Sequence, residues 1–197
     1  MLITFEGTEG CGKSTLIRNL SRKLDELGIG HIVTREPGGS SVAEGIRGLI
    51  LNQEMHPMTE LFLYEAARNE HFERTILPAL EAGKWVLCDR FTDSTIAYQG
   101  FARGLPLPLI ERLNSMATRN RKPDLTFFLD LPVEAGLARA QDPNKFELEG
   151  VPFQKRVRRG YLHSIRKSPR RFKVLKVKDK SPDEVCAMAL KTLRTRL

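Results

Sequence analysis

The sequence Gly7-Thr8-Glu9-Gly10-Cys11-Gly12-Lys13-Ser14 matches the pattern GxxxxGK[ST] and decides the fold. It follows an apolar run at residues 2–6 and opens an amphipathic, helix-like stretch at residue 13. Glycine tolerates the φ angles that turn backbone N–H groups inward, so the loop is predicted to bind phosphate at a helix N-terminus. In this motif the lysine bridges the β- and γ-phosphates of a nucleoside triphosphate, and the serine hydroxyl ligates Mg²⁺. The predicted donor-binding residues are Gly7, Thr8, Glu9, Gly10, Cys11, Gly12, Lys13, Ser14 and Thr15.

Short apolar runs alternate with amphipathic stretches along the rest of the chain. Strands are predicted at residues 2–6, 31–34, 85–89, 125–130 and 173–177. Helices are predicted at residues 13–27, 42–51, 59–82, 107–119, 132–140, 153–167 and 182–197, with Thr59, Pro132 and Ser181-Pro182 as starts. This alternation is typical of an α/β protein, in which helices cover both faces of a parallel sheet and ligands bind at the carboxyl ends of the strands. No repeat or linker interrupts it, so residues 1–197 are predicted to form one domain.

The composition is that of an ordinary folded protein, with 41% hydrophobic and 28% charged residues among 197. The longest apolar runs are much shorter than a bilayer span, and the N-terminus lacks the basic and extended apolar regions of an export signal. Cys11, Cys88 and Cys186 are odd in number and far apart, which offers neither a disulfide framework nor a CxxC pair. A cytoplasmic protein that does not contact a membrane is therefore expected.

The formal net charge of +8 is concentrated towards the C-terminus. Residues 155–180 contain twelve Lys or Arg and a single acid, Asp179. Such a block fits either a surface that follows a nucleic-acid backbone or the solvated face of a helix and its loop. No stacking platform of aromatic residues is interleaved with the charges, so the solvated face is the favoured interpretation. Nucleic acid is accordingly not an expected partner.

The predicted strand at residues 85–89 ends in Asp89, and Arg90 follows at once. A protein with this phosphate loop places an acid at the end of a neighbouring strand to hold the metal and its water shell, so Asp89 joins Ser14 as a predicted metal residue. A guanidinium group suits phosphate oxygens, which makes Arg90 a candidate for gripping a second anion. Taken alone, an Asp-Arg pair is more often a surface ion pair.

Six segments together resemble the thymidylate kinase family almost from end to end. They read FEGTEGCGKST (5–15), TREPGG (34–39), LFLYEAAR (61–68), DRFTDSTIAYQG (89–100), KPDLTFFLDLP (122–132) and RVRRGYL (156–162). The resemblance implies a three-layer P-loop kinase fold with a five-stranded parallel sheet in the order 2-3-1-4-5 and a short lid at about residues 141–152. It also implies that the chain uses Mg²⁺ and ATP to phosphorylate dTMP to dTDP for dTTP synthesis, and that it is a homodimer.

The resemblance assigns roles to single residues as well. It implies that Glu9 approaches the acceptor's 3′-hydroxyl and the metal region, and that Arg90 holds the acceptor phosphate. The residues that it places around the acceptor nucleoside are Tyr64, which stacks on the base, Arg68, which contacts the base, Thr95 and Gln99, which lie near it, and Tyr98, which crowds C2′. Tyr64 and Arg68 also fit a helix packing face, so that alternative stays open for them.

This sequence departs from the family in its cations. Some members carry an arginine inside the phosphate loop and others carry one in the lid, yet Thr8, Glu9, Gly10 and Cys11 supply no positive charge. The lid reads QDPNKFE at residues 141–147, and its usual Asp-Arg pair aligns with Asn144 and Lys145. Lys145 or Arg139 is therefore predicted to stabilise the transferring phosphoryl group, and a lysine offers a point charge where an arginine offers a fork.

Parts of the sequence are also compatible with three other functions. Residues 144–147, NKFE, resemble the guanine signature NKxD of GTPases, but the fourth residue is Glu, and no DxxG switch follows Asp89. A nucleic-acid-dependent ATPase is supported only by the basic block at 155–180. A kinase for another nucleoside monophosphate remains the nearest alternative.

Overall fold

The computed structural model describes residues 1–139 and 145–194, apart from the side chain at position 147. Its centre is a five-stranded sheet in the order β2-β3-β1-β4-β5, and every neighbouring pair is parallel. The strands are β1 (Leu2–Glu6), β2 (His31–Arg35), β3 (Trp85–Asp89), β4 (Leu125–Asp130) and β5 (Phe172–Lys176). The predicted sheet and strand order are confirmed, and the bounds differ by one residue in β2 and β5.

Helices cover both faces of the sheet. They are α1 (Lys13–Glu26), α2 (Ser41–Asn52), α3 (Pro57–His71), α4 (Leu77–Glu81), α5 (Thr92–Thr95), α6 (Leu107–Ala117), α7 (Val133–Leu137), α8 (Lys145–Leu148), α9 (Gly150–Lys167) and α10 (Pro182–Leu193). Two π-helical segments, Phe72–Ile76 and Ile96–Ala102, continue α3 and α5. Helix α10 begins as predicted, because Ser181 and Glu184 form a reciprocal capping box.

Three helix predictions need correction, and one helical segment was not predicted. The helix predicted at 59–82 begins at Pro57, because the His56 side chain caps it, and it includes the π-helical turn before α4. The helix predicted at 132–140 ends at Leu137, and residue 140 lies outside the described residues. Helix α9 starts three residues earlier than predicted. The helical segment at 92–102 was not predicted, because its β-branched and small residues have weak helix propensity.

Burial explains why the sheet is the middle of three layers. All residues of β1 and the first five of β4 are buried, whereas the edge strands β2 and β5 have exposed positions. Helices α1 and α10 contribute Leu20 and Ala189 to the core on one face, and α9 contributes Val157 and Tyr161 on the other. Parallel order brings the carboxyl ends of β1, β3 and β4 to one edge, where the functional residues meet. Within 1–139 and 145–194, no helix has the length and apolar character needed to cross a membrane.

Candidate active site

The loop after β1 is shaped to receive phosphate. Gly12 caps helix α1 in the left-handed region with φ of 93°, and no side chain caps the helix or places an acid in its first turn. The N–H groups of that turn and the helix dipole therefore face the loop's interior without a competing carboxylate. The Lys13 side chain is buried inside the loop, where its Nζ lies 3.3 Å from the Gly7 carbonyl oxygen and 3.4 Å from that of Thr8.

Helix α7 packs directly on this loop through two glycines. A Cβ atom added to Gly10 would lie 2.1 Å from the Gly136 carbonyl oxygen, and one added to Gly136 would lie 2.3 Å from that of Glu9. No side chain fits at either position without moving backbone, so the contact fixes the loop against α7. Arg139, just after α7, donates from Nη1 to the Gly10 carbonyl oxygen at 3.3 Å.

Ser14, in the first turn of α1, meets Asp89 at the end of β3. The Ser14 hydroxyl donates to Asp89 Oδ2 at 3.1 Å, whereas Asp89 Oδ1 is buried with no hydrogen-bond partner among the described atoms. Those atoms include no group of three or more His, Cys, Asp or Glu side chains that would hold a metal alone. Mg²⁺ commonly takes one or two protein oxygens and completes its shell with water and phosphate, so this pair fits Mg²⁺ carried by a nucleotide.

Arg90 is held at the centre of the site by its backbone and by its neighbours. Its backbone lies in the left-handed region with φ of 69°, and its N–H donates to the Phe5 carbonyl oxygen at 3.0 Å, so the chain turns sharply at the end of β3. From the guanidinium, Nη2 donates to Glu9 Oε1 at 2.7 Å and Nη1 to the Gly7 carbonyl oxygen at 3.2 Å. Arg90, which the sequence predicts to bind a second anion, thus contacts the phosphate loop itself.

Glu9 is the acid of this pair. Burial alone would raise the pKa of Glu9, but the positive charges of Arg90 and Lys13 lower it to about 2. The Tyr98 hydroxyl also donates to Glu9 Oε1 at 2.8 Å, and the Arg90 guanidinium carbon lies 5.1 Å from the centre of the Tyr98 ring. Glu9 therefore stays ionised and ties together the phosphate loop, Arg90 and the tyrosine ring.

A cavity opens from Arg90 away from the phosphate loop. The residues that line it are Glu9, Glu36, Pro37, Arg47, Leu51, Tyr64, Arg68, Arg90, Phe91, Ser94, Thr95, Tyr98, Gln99 and Phe146. All seven residues predicted to bind the acceptor are among them. Thr95 Oγ1 is buried without a hydrogen-bond partner in the described structure, which leaves a polar atom for a ligand. Sequence reasoning missed Glu36, Arg47 and Phe146, although Glu36 lies in the TREPGG segment that carries the resemblance.

Arg68 has a structural role that the sequence left open. Its Nε donates to Glu36 Oε2 at 2.8 Å, and its Nη1 donates to Glu65 Oε1 at 2.8 Å and to Asn114 Oδ1 at 2.7 Å. Its Nη2 donates to the Phe91 carbonyl oxygen at 3.3 Å. Four of the five guanidinium N–H groups thus have acceptors in the described structure, and the helix packing interpretation holds for most of this side chain. Contact with a base remains a prediction, for which one N–H is left.

The two candidate lid cations occupy different places. Lys145 Nζ lies 3.2 Å from the Gln53 carbonyl oxygen and 3.3 Å from Glu60 Oε2. Glu60 also accepts from Gln99 Nε2 at 2.9 Å. Of the two cations, only Arg139 has a hydrogen bond to the phosphate loop. Residues 141–144, including Asn144, lie outside the described part of the chain.

A second cavity adjoins the phosphate loop on its other side. Its lining residues are Cys11, Gly12, Thr15, Leu16, Leu129, Arg139, Val177, Lys180, Pro182 and Val185. Lys180 belongs to the connection between β5 and α10, and Pro182 is the first residue of α10. Cys11 is buried here, and burial raises the pKa of its thiol, which agrees with a packing role rather than a reactive one.

Comparison with known proteins agrees with this geometry. The family model described as thymidylate kinase matches residues 5–188. The chain belongs to the thymidylate kinase family. It is 45% identical over 196 residues to the thymidylate kinase of Syntrophotalea carbinolica, covering 93% of this chain and 90% of that one. It is 51% identical over 185 residues to the thymidylate kinase of Geotalea uraniireducens, covering 88% and 87%.

A solved structure gives the same result for the fold. The crystal structure of thymidylate kinase from Ehrlichia chaffeensis superposes with a TM-score of 0.84 at 36% identity and covers 98% of both chains. The predicted family and the predicted P-loop kinase fold are therefore confirmed. Family membership also favours the kinase interpretation over the GTPase interpretation of residues 144–147.

Proposed function

We propose that the chain transfers the γ-phosphoryl group of ATP to dTMP, giving dTDP and ADP, in the synthesis of dTTP. The observation that carries the proposal is the position of Arg90. Its guanidinium lines the acceptor cavity and also donates to the Gly7 carbonyl oxygen at 3.2 Å. A monophosphate held by Arg90 would therefore lie beside a triphosphate held by the loop that begins at Gly7.

Catalysis then consists mainly of alignment and charge stabilisation. Phosphoryl transfer passes through a loose transition state, with negative charge on the equatorial oxygens of the moving group, so cations around that group lower the barrier. We assign this role to Lys13 in the loop, Arg90 at the acceptor phosphate and Arg139 beside Gly10. Lys145 is the weaker candidate, since its contacts are with Gln53 and Glu60.

Mg²⁺ is the proposed cofactor, with ATP as the donor. Ser14 and Asp89 would hold the ion or its water shell, since one oxygen of Asp89 is buried and has no hydrogen-bond partner among the described residues, while the other accepts from the Ser14 hydroxyl. The ion would neutralise charge on the donor phosphates. The second cavity, between Thr15, Arg139 and Pro182, is the proposed place of the donor base.

The acceptor cavity also supports selectivity for a deoxynucleotide of thymine. Tyr98 is fixed by its hydrogen bond to Glu9, so its ring would crowd a 2′-hydroxyl and disfavour a ribonucleotide. Tyr64 would stack on the base, while Thr95, Gln99 and the free N–H of Arg68 would recognise its polar edge. Phe146 lies 5.7 Å from Tyr98 between ring centres and closes the cavity from the lid side.

We further propose that the protein is a homodimer in the cytoplasm. Val42 and Leu49 on α2, Phe62 on α3 and Met116 on α6 are each more than half exposed, on helices that pack against one another. Such an apolar surface suits a second copy of the chain. Phe62→Glu is expected to produce monomers in analytical ultracentrifugation, and an unchanged dimer would contradict this interface. The cytoplasmic location is supported by three buried free thiols, which fit a reducing compartment.

The central test is a coupled assay with ATP and a panel of acceptors, namely dTMP, dUMP, dGMP, AMP, CMP, UMP and thymidine. We expect dTMP to give the highest kcat/KM. Arg90→Ala should raise the KM for dTMP and lower kcat while leaving the KM for ATP near its original value. The proposal fails if another monophosphate is preferred, or if Arg90→Ala leaves both acceptor parameters unchanged.

A further inference from the structure

A chain of hydrogen bonds runs from Arg90 into the protein interior, away from the acceptor cavity. Arg90 Nη1 donates to the Tyr161 hydroxyl oxygen at 3.0 Å. The Tyr161 and Ser94 hydroxyl oxygens lie 2.9 Å apart, and the Ser94 hydroxyl donates to Glu6 Oε2 at 2.6 Å. We infer that Glu6, Ser94 and Tyr161 are positioning residues that hold the Arg90 guanidinium in the orientation that binds the acceptor phosphate.

One end of this chain has a fixed direction, because a guanidinium only donates hydrogen bonds, so the Tyr161 hydroxyl oxygen accepts from Arg90. Arg90 Nη1 also lies 3.4 Å from the Ser94 hydroxyl oxygen, so both hydroxyl groups contact the guanidinium. At the other end Glu6 accepts from Ser94, and burial together with the nearby Asp93 raises the pKa of Glu6 to about 7. Each bond in the chain polarises the next. The other oxygen of Glu6 accepts from the Phe91 N–H at 2.8 Å, so the carboxylate cannot turn away.

The three residues are held by different parts of the fold. Glu6 ends β1, Ser94 lies on α5, and Tyr161 lies on α9; Glu6 and Tyr161 are fully buried and Ser94 is 9% exposed. Helix α9 approaches the 96–102 segment so closely that a Cβ on Gly160 would lie 2.6 Å from the Ala97 Cα. This close approach fixes the height of the next residue, Tyr161, above Ser94. These three residues, here called the relay, therefore connect Arg90 to the sheet through β1 and to helix α9.

Glu6 and Tyr161 are distinguished from the other neighbours of Arg90 by their position. Ser94 lines the acceptor cavity, but Glu6 and Tyr161 are not among its lining residues. Neither side chain would therefore contact a bound monophosphate itself, and Arg90 is the charged group through which the inference has them act. On the opposite side Glu9 holds Nη2, so the relay and Glu9 fix the two ends of one guanidinium group.

The inference rests on the proposed function, and its test compares Tyr161→Phe and Glu6→Gln with the control Ser164→Ala. Ser164 lies one turn after Tyr161 on α9, is 3% exposed, and has a hydroxyl without a partner in the described structure. Ser164→Ala therefore removes a buried hydroxyl from the same helix and leaves the hydrogen bonds of the relay intact. Glutamine at position 6 cannot accept from both Phe91 and Ser94, because its amide nitrogen is a donor.

We expect Tyr161→Phe and Glu6→Gln to raise the KM for dTMP about tenfold, with the KM for ATP unchanged, because each loses a hydrogen bond in a chain that ends on a charged group. Ser164→Ala should have the same KM for dTMP and the same KM for ATP as the original enzyme. In calorimetric titrations with dTMP, Tyr161→Phe should weaken binding in the original enzyme but not in an Arg90→Ala background, because the relay acts only through Arg90.

Three results would overturn the inference. The first is a KM for dTMP in both Tyr161→Phe and Glu6→Gln equal to that of Ser164→Ala, and the second is an equal increase in the KM for ATP and the KM for dTMP. The third is a Tyr161→Phe substitution that weakens dTMP binding as much in the Arg90→Ala background as in the original enzyme. Thermal unfolding shows whether each variant is folded. Should one of Tyr161→Phe and Glu6→Gln unfold, the other interrupts the same chain from outside the cavity and must give this pattern alone. An original enzyme that does not phosphorylate dTMP would instead sink the proposed function, so the two failures are distinguishable.

Discussion

Replacing Arg68 by methionine should destabilise the protein strongly, because Arg68 neutralises two buried acids. Glu36, Glu65 and Arg68 have side chains that are 3%, 8% and 2% exposed. Burial would raise the pKa of Glu36, but Arg68, with His71, holds it below its ordinary value; the pKa of Glu65 is already raised by burial despite Arg68. Removing one partner of a buried ion pair costs about 3–5 kcal/mol, since it leaves an uncompensated charge. For a chain of this length that lowers Tm by roughly 6–20 °C.

Urea unfolding followed by circular dichroism measures this cost directly. With a slope of about 2 kcal/mol per M, the midpoint should fall by roughly 1.5–2.5 M. The control is Arg74→Met, since Arg74 is 74% exposed and its pair with Glu70 is a surface pair worth at most about 0.5 kcal/mol. A loss below about 1 kcal/mol for Arg68→Met, or a loss equal to that of Arg74→Met, would show that the two acids do not depend on Arg68.

Three further predictions concern the phosphate loop and its neighbours. Arg139→Met should lower kcat by about 100-fold and Lys145→Met by less than about tenfold, because only Arg139 contacts the loop; steady-state kinetics that reversed this order would refute the assignment. Gly136→Ala should raise the KM for ATP although alanine favours helix, since the new Cβ would lie 2.3 Å from the Glu9 carbonyl oxygen; an unchanged KM would show that α7 can move freely. Glu9 has a depressed pKa, so its stabilisation is complete above the ordinary value of 4.5 and is lost as the pH falls towards about 2. The free energy of unfolding should therefore fall more between about pH 5 and pH 3 in the original protein than in Glu9→Gln, and parallel curves would contradict this.

Much of the site followed from local chemistry in the sequence. The phosphate loop is recognisable because glycines, Lys13 and Ser14 serve their roles at fixed spacing in one turn. Asp89 and Arg90 were found for a related reason: they directly follow an apolar strand, and parallel strands bring their carboxyl ends to one edge. The positions of residues that directly follow a strand can thus be predicted from the chain itself, while their roles stay predictions.

Residues that depend on distant packing were harder to interpret. The helix at 92–102 is held against α9 by the approach of Gly160 to Ala97, which no local pattern in Thr92–Thr95 or Ile96–Ala102 reveals. Arg68 was placed at the base, but the acids and the amide that take most of its donors come from residues 36, 65 and 114. Lys145 aligned with a lid cation in sequence, whereas its side chain pairs with Glu60. In each case at least one deciding partner is far away along the chain.

The arrangement of β1 and β3 explains how the two phosphates are brought together. Phe5 pairs with Asp89 in the parallel register, so the phosphate loop and Arg90 leave adjacent strand ends that are about 4.8 Å apart. Phosphoryl transfer needs its reacting atoms within about 3–3.5 Å, and errors of about 1 Å are costly. The backbone at the centre of the sheet positions both phosphate-binding groups. The left-handed turn at Arg90 places its guanidinium, and the Gly12 cap places the phosphate loop. Alignment of the two proposed phosphate sites is therefore a property of the sheet.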